Sequence, residues 1–169
     1  ELKEIDAYCL SKGVELIPCI QTLAHLNCIF KWNNVYDCIK DCDDILLAEE
    51  EKTYQLIRDM FSSISECFSS KRIHIGMDEA HNVGLGKYLE RHGFQERFDV
   101  INRHLHKVCA IAEEYGLSPM IWSDMFCKLA MGTENQYADV DTSAIKEKAQ
   151  LPENISLVYW DYYSTDYDH

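Results

Sequence analysis

Apolar residues recur along the chain in two alternating patterns: stripes spaced three and four residues apart, and short runs that are almost continuously apolar. The first stripe, Leu2, Ile5, Tyr8 and Cys9, predicts a helix over residues 2–12 that Gly13 ends. Residues 14–21 then read as a buried strand. Residues 49–68 carry the clearest helix, with Tyr54, Ile57, Phe61, Ile64 and Phe68 on one face and an acidic first turn that suits the helix dipole. A strand over 72–77 follows. The next helix, 98–115, buries Val100, Ile101, Leu105, Val108, Ile111 and Ala112, and Gly116 closes it before a strand over 119–123. Residues 128–139 read as a loop or short irregular turns, and a weaker helix over 142–149 precedes a strand over 155–162.

Helices alternating with short, nearly all-apolar strands indicate a parallel sheet covered by helices, and so an α/β class. A doubly wound sheet would carry a glycine-rich first turn. Here polar and aromatic residues crowd the C-terminal ends of successive strands, as in a (β/α)8 TIM barrel. A complete barrel takes about 250 residues, and only four helix–strand pairs are present. Residues 1–169 therefore read as a fragment of one barrel domain, about half of it. Half a barrel leaves two raw sheet edges to hide, and a homo-oligomer through those edges is one way to do so.

Charge narrows the partners. Lys and Arg number 16 against 29 Asp and Glu, a net of −13, and no basic run concentrates positive potential. Such a balance repels phosphate backbones and anionic lipid surfaces, so neither nucleic acid nor a membrane is expected as a partner. No apolar stretch approaches the roughly 20 residues that a spanning helix needs. Eight cysteines, at positions 9, 19, 28, 38, 42, 67, 109 and 127, form no C-x-x-C pair, and most sit in apolar segments, which argues against a zinc cluster. A chain of this length can bury a core without staples, so reduced thiols in a cytoplasm are favoured over a disulfide-linked secreted domain. The chain opens at Glu1, inside the first helix, which leaves any upstream targeting segment open.

The chemistry lies at the strand ends. The 72–77 strand runs into Asp78, Glu79 and His81. Two adjacent buried acids cost several kcal/mol unless they are paired or used; the ordinary alternative is that they cap the following turn. Neighbours on a regular strand face opposite ways, so the two carboxylates converge only if the strand ends irregularly, which the 80–86 stretch allows. The other strand ends offer His25, then Trp122 and Asp124, then Trp160, Asp161, Tyr162 and Tyr163. Carboxylates with aromatic faces are suited to sugars, the rings stacking on pyranose C–H surfaces and the acids handling hydroxyls and the glycosidic oxygen. Singly, Trp122 reads as core and His25 as a satisfied buried histidine; their recurrence at one end of successive strands points to a site. His104 and His106 fall on a helix and are expected in solvent, while Trp32 either caps the pocket or anchors its loop. A Mg²⁺-dependent barrel enzyme would want more oxygen ligands than these aromatic-rich ends supply.

The run His74-Ile-Gly-Met-Asp78-Glu79 resembles the H-x-G-x-D-E signature of glycoside hydrolase family 20, the β-N-acetylhexosaminidases. The upstream Leu16-Ile-Pro-Cys-Ile-Gln-Thr-Leu-Ala-His25 resembles the strand-three motif of its hexosaminidase D-like branch, and the resemblance spans nearly the whole chain. It implies a barrel of which this chain holds roughly the third to sixth strands, and an exo-hydrolase acting on terminal β-linked N-acetylglucosamine or N-acetylgalactosamine without cofactor or metal. The family is one of the substrate-assisted exceptions to the two-carboxylate scheme. Glu79 is implied as general acid and then base, Asp78 as acceptor of the acetamide N–H, and Tyr162 or Tyr163 as donor to the acetamide oxygen. Trp122 and Trp160 would wall the pocket and His25 would support the acid. His74 and Asp124 would face the sugar or support the site, and Asp161 would bind a hydroxyl. The acidic partner of His25, a sugar-binding arginine and a further tryptophan would come from strands this chain lacks. The alternative is a non-catalytic or assembly-dependent fragment that binds sugar weakly or not at all.

Overall fold

The computed structural model describes residues 1–131, 150–160 and 162. Its principal helices are α1 (Leu2–Ser11), α4 (Glu51–Cys67), α6 (Arg97–Glu114) and α7 (Asp124–Met131), with short helices α2 (Asn27–Phe30), α3 (Asn33–Tyr36) and α5 (Lys87–His92) in the connections. The strands β1 (Arg72–His74), β2 (Ser118–Trp122) and β3 (Ser156–Val158) form one parallel sheet in the order β1-β2-β3. Ile73 lies opposite Pro119, and Ile121 opposite Leu157.

Residues 18–22 extend the sheet beyond β1 through a parallel bridge between Cys19 and His74. His74 N–H donates to the Pro18 carbonyl, and Ile20 N–H donates to the His74 carbonyl, both at 2.9 Å. Each segment thus pairs with its neighbour in sequence, the order of a barrel wall and not of a sheet that reverses at a switch point.

The core lies between this sheet and the stripes read from the sequence. Tyr54, Ile57, Phe61 and Ile64 of α4 and Val100, Ile101, Leu105, Val108, Ile111 and Ala112 of α6 are buried against Ile73, Ile75 and Ile121. Each large side chain fully buried in this way contributes about 1.5–3 kcal/mol.

Several expectations are corrected. Residues 14–21 form no regular strand: pairing begins only at Pro18, a residue with no N–H to give, and Val14 is exposed. β1 stops at His74 because Gly76 and Met77 take positive φ, which a strand cannot continue through. Of the loop read over 128–139, residues 128–131 instead belong to α7, which starts at Asp124 just after β2, and 132–139 lie outside the described residues. The helix expected over 142–149 lies outside the described residues.

The stripe on α1 also behaves differently. Leu2, Ile5 and Tyr8 are exposed, and the helix buries only Asp6, whose Oδ2 accepts the Ser69 N–H at 3.1 Å. His104, expected in solvent, is fully buried, while His106 is exposed. All eight cysteines are free; Cys109 and Cys127 are buried, but Cys19, Cys28 and Cys38 are exposed and do not serve as core. Among the described residues no helix is long and apolar enough to cross a membrane.

The excursion after His25 has a small core of its own, Leu26, Phe30, Ile39 and Leu46. The buried Asp41 carboxylate fastens it to the loop after β1, accepting N–H groups from Gly84 at 2.7 Å and Tyr88 at 2.8 Å. Trp32 is 70% exposed, so it does not anchor this excursion by burial.

Candidate active site

The site is made by the way β1 ends. After His74 the chain passes through Gly76 at φ 71°, Met77 at φ 70° and Glu79 at φ 52°. For Met77 and Glu79 the left-handed region costs about 1–2 kcal/mol each, strain that typically gathers where geometry is used. These reversals remove the strand alternation that would send Asp78 and Glu79 to opposite faces. Both carboxylates meet one imidazole nitrogen: His25 Nε2 lies 3.2 Å from Asp78 Oδ2 and 3.6 Å from Glu79 Oε2. His25 itself sits at φ 61°, and the carboxyl of Asp44 reaches its other face, with Oδ2 3.9 Å from Nδ1.

The irregular ending expected from the 80–86 stretch therefore occurs earlier, at Gly76 and Met77. The acids are also less enclosed than two buried neighbours would be. The Asp78 side chain is 19% exposed and that of Glu79 46%.

Supporting contacts reach this pair from two directions. Gln21 Nε2 donates to Asp78 Oδ1 at 2.9 Å, and the Glu79 N–H donates to Asp124 Oδ2 at 3.2 Å. Asp124 opens α7 and is buried, so it meets the site through the Glu79 backbone. His74 is buried with its ring 4.2 Å from that of Trp122. Its Nδ1 accepts the Gly76 N–H at 3.1 Å, which assigns the ring proton to Nε2. Burial pushes the His74 imidazole below its ordinary value, against the pull of the Asp78 charge, and favours this neutral form.

In front of the acids lies an open cavity of about 200 Å³ lined by Asp78, Glu79, Trp122, Trp160 and Tyr162. The Trp160 and Tyr162 rings stand 5.3 Å apart at 42°. A smaller hollow lined by Ser123, Asp124, Tyr159 and Trp160 adjoins it. Of the residues singled out in the sequence, His25, Asp78, Glu79, Trp122, Trp160 and Tyr162 come together here. Asp124 stands behind Glu79, and Asp161 and Tyr163 lie outside the described residues. His25, Asp78 and Glu79 also offer one ligand atom each within 4.8 Å of one another, a spacing that can hold a cation.

A sequence profile described as the catalytic domain of glycosyl hydrolase family 20 matches residues 1–167. The chain belongs to glycosyl hydrolase family 20. It is similar to human Hexosaminidase D, 25% identical over 171 residues that cover 96% of this chain and 32% of that protein. Bovine Hexosaminidase D is 23% identical over 170 residues, 96% of this chain and 46% of that protein. Among solved structures, the β-N-acetylhexosaminidase of Streptomyces coelicolor superposes with a TM-score of 0.65 at 18% identity over 98% of this chain and 28% of its own. That of Bacteroides fragilis gives 0.67 at 17% identity over 95% and 30%. This family-20 chain thus spans less than half the length of these relatives. Catalytic domains of the family are TIM barrels, and a parallel sheet with sequential strand order agrees with part of one.

Two residues that contact this site are not among those the sequence singles out. Gln21 carries a signal, being a polar residue at the end of an apolar run and directly before Thr22. Asp44 carries none, because only the folded excursion brings it to His25.

Proposed function

We propose that this chain is the third-to-sixth-strand portion of a β-N-acetylhexosaminidase barrel, and that it removes terminal β-linked N-acetylglucosamine or N-acetylgalactosamine by substrate assistance. The observation that carries the reading is the convergence of Asp78 and Glu79 on His25 at the mouth of a cavity walled by Trp122 and Trp160. Carboxylates of inverting enzymes stand about 6.5–9.5 Å apart, on opposite sides of the scissile bond. Here one oxygen of each acid lies within 4.8 Å of the other. That separation argues against the inverting geometry but is close to the roughly 5–5.5 Å of two-carboxylate retaining enzymes. It is the sharing of one imidazole nitrogen by both acids that suits one acid and one orienting group, with the nucleophile coming from the sugar.

In the first step Glu79 protonates the leaving oxygen while the sugar's acetamido carbonyl oxygen attacks the anomeric carbon, closing an oxazolinium ring. Glu79, now a carboxylate, takes a proton from water as that water opens the ring, and configuration is retained. A general acid must carry its proton at working pH. The exposed Glu79 carboxyl is covered only once sugar fills the cavity. Asp78 accepts the acetamide N–H and offsets the positive charge that develops on nitrogen. Tyr162 donates to the acetamide oxygen, Trp122 and Trp160 enclose the methyl and ring, and Asp124 holds Glu79 through its backbone. Asp161 keeps its role as a hydroxyl contact within this proposal, and Tyr163 remains the alternative to Tyr162 as donor to the acetamide oxygen. Asp78 Oδ1 already accepts the Gln21 amide, which leaves one fewer free carboxylate oxygen for a cation beside His25.

A second reading is an assembly-dependent fragment, favoured by the exposed apolar residues of α1 and by residues 18–22, which among the described residues pair with a strand only on the β1 side. Para-nitrophenyl N-acetyl-β-glucosaminide and its galacto epimer, offered to this chain and to the complete gene product alongside a solution mass, separate the two. Cleavage by the complete product supports the enzyme reading. Cleavage that rises with self-association of this chain supports assembly, and cleavage by neither refutes the activity.

A further inference from the structure

We propose that Gln21 is the positioning residue of Asp78, and that Gly76 is the platform across which its amide lies; the inference rests on the reading of Asp78 as the acetamide acceptor. The backbone around Gln21 is fixed on both sides. Ile20 N–H donates to the His74 carbonyl at 2.9 Å, and Thr22 donates twice to the Ile75 carbonyl, from N–H at 3.2 Å and from its hydroxyl at 2.8 Å. The Thr22 carbonyl in turn accepts from His104 Nε2 at 2.9 Å.

The Gln21 side chain then uses both ends of its amide. Met77 N–H donates to Oε1 at 3.2 Å, and Nε2 donates to Asp78 Oδ1 at 2.9 Å. The backbone donor settles which end is which, because an N–H faces only the amide oxygen and leaves the NH₂ to the carboxylate. A Cβ built on Gly76 would stand 2.0 Å from Oε1 and 2.6 Å from Cδ, so no other residue leaves room for the amide. The φ of 71° at Gly76 makes the same demand of the backbone.

With Gln21 on Oδ1 and His25 beside Oδ2, the plane of the Asp78 carboxylate is set before substrate arrives. Orientation matters to rate: displacing a positioned group by about 1 Å costs on the order of 100-fold.

Substitutions of Gln21 separate positioning from packing. Gln21→Glu keeps the size and the acceptor for Met77 but turns an oxygen toward Asp78, whereas Gln21→Ala removes the amide and admits water. If Gln21 merely fills the space over Gly76, the isosteric Glu is mild and Ala is severe. Positioning inverts that order, with Gln21→Glu losing on the order of 100-fold in kcat and Gln21→Ala on the order of 10-fold. In an Asp78→Asn background the Asn amide can donate to the carboxylate that Gln21→Glu introduces, so adding the second substitution costs nothing further. A greater loss for Ala than for Glu, or additive losses in the double variant, overturns the proposal.

Absence of turnover in the unsubstituted protein would instead defeat the proposed function, and the bond is then read without activity. Asp78→Ala should shift the Gln21 side-chain amide proton resonances in an NMR spectrum; unmoved resonances overturn the inference.

Discussion

His104 gives the most quantitative test of how the fold supports the site. It lies on α6 with no exposed surface, its Nε2 2.9 Å from the Thr22 carbonyl and its Nδ1 3.3 Å from the Tyr54 hydroxyl. Burial lowers its pKa from 6.5 to about 4, against the opposing effects of the Thr22 carbonyl and the Glu49 charge. The folded protein therefore keeps His104 neutral, while the unfolded chain takes up a proton below pH 6.5. Above that pH the group adds no pH dependence. Between about pH 6.5 and pH 4 the unfolded state gains protons that the folded state does not, so stability falls. At about 1.4 kcal/mol for each pH unit of difference, the loss reaches about 3 kcal/mol by pH 4.

The assay is urea unfolding from pH 7 to pH 4 for the parent protein and for His104→Gln, which keeps an amide donor for Thr22 but does not titrate. Carboxylates protonate in both proteins and cancel in the difference. Gln should be the less stable at pH 7 and should lose about 3 kcal/mol less on acidification. Parallel pH profiles would refute the claim that the fold holds this histidine neutral.

The remaining predictions concern the acid and the joint beneath it. Glu79→Gln should slow hydrolysis of unactivated glycosides by about 10²–10⁴-fold and nitrophenyl glycosides much less, because a good leaving group needs no proton; equal slowing of both would remove Glu79 as the acid. Asp41→Ala orphans the buried N–H groups of Gly84 and Tyr88 and should cost about 3 kcal/mol in urea unfolding. A loss under about 1 kcal/mol would show that this joint does not hold the loop after β1.

How much the sequence discloses depends on the range of the interaction. The stripes of α4 and α6 are local, and the residues read from them are those that line the core. The stripe of α1 is as regular but faces solvent, because periodicity shows which face is apolar and not whether anything covers it. Residue type alone misplaces His104: it lies at helical spacing with Ile101, Val108 and Ile111, all buried, and that register is the available clue.

At the site, the D-E pair and the aromatic strand ends are legible because each strand delivers its last residues to the same end of the sheet. The left-handed Met77 and Glu79 are not, since neither residue type favours that backbone. The Gln21–Asp78 bond spans 57 residues. Only the parallel pairing of residues 18–22 with β1 creates it, so no local pattern announces it.

In the proposed reaction the sugar's own acetamido group is the nucleophile. The most direct measurement compares the complete gene product on para-nitrophenyl N-acetyl-β-glucosaminide and on the corresponding β-glucoside, which carries a hydroxyl where the acetamido group stands. Substrate assistance requires cleavage of the first, with the β-anomer as the initial product by NMR, and no detectable cleavage of the second. Comparable cleavage of both, or an α-anomer as the initial product, would contradict it.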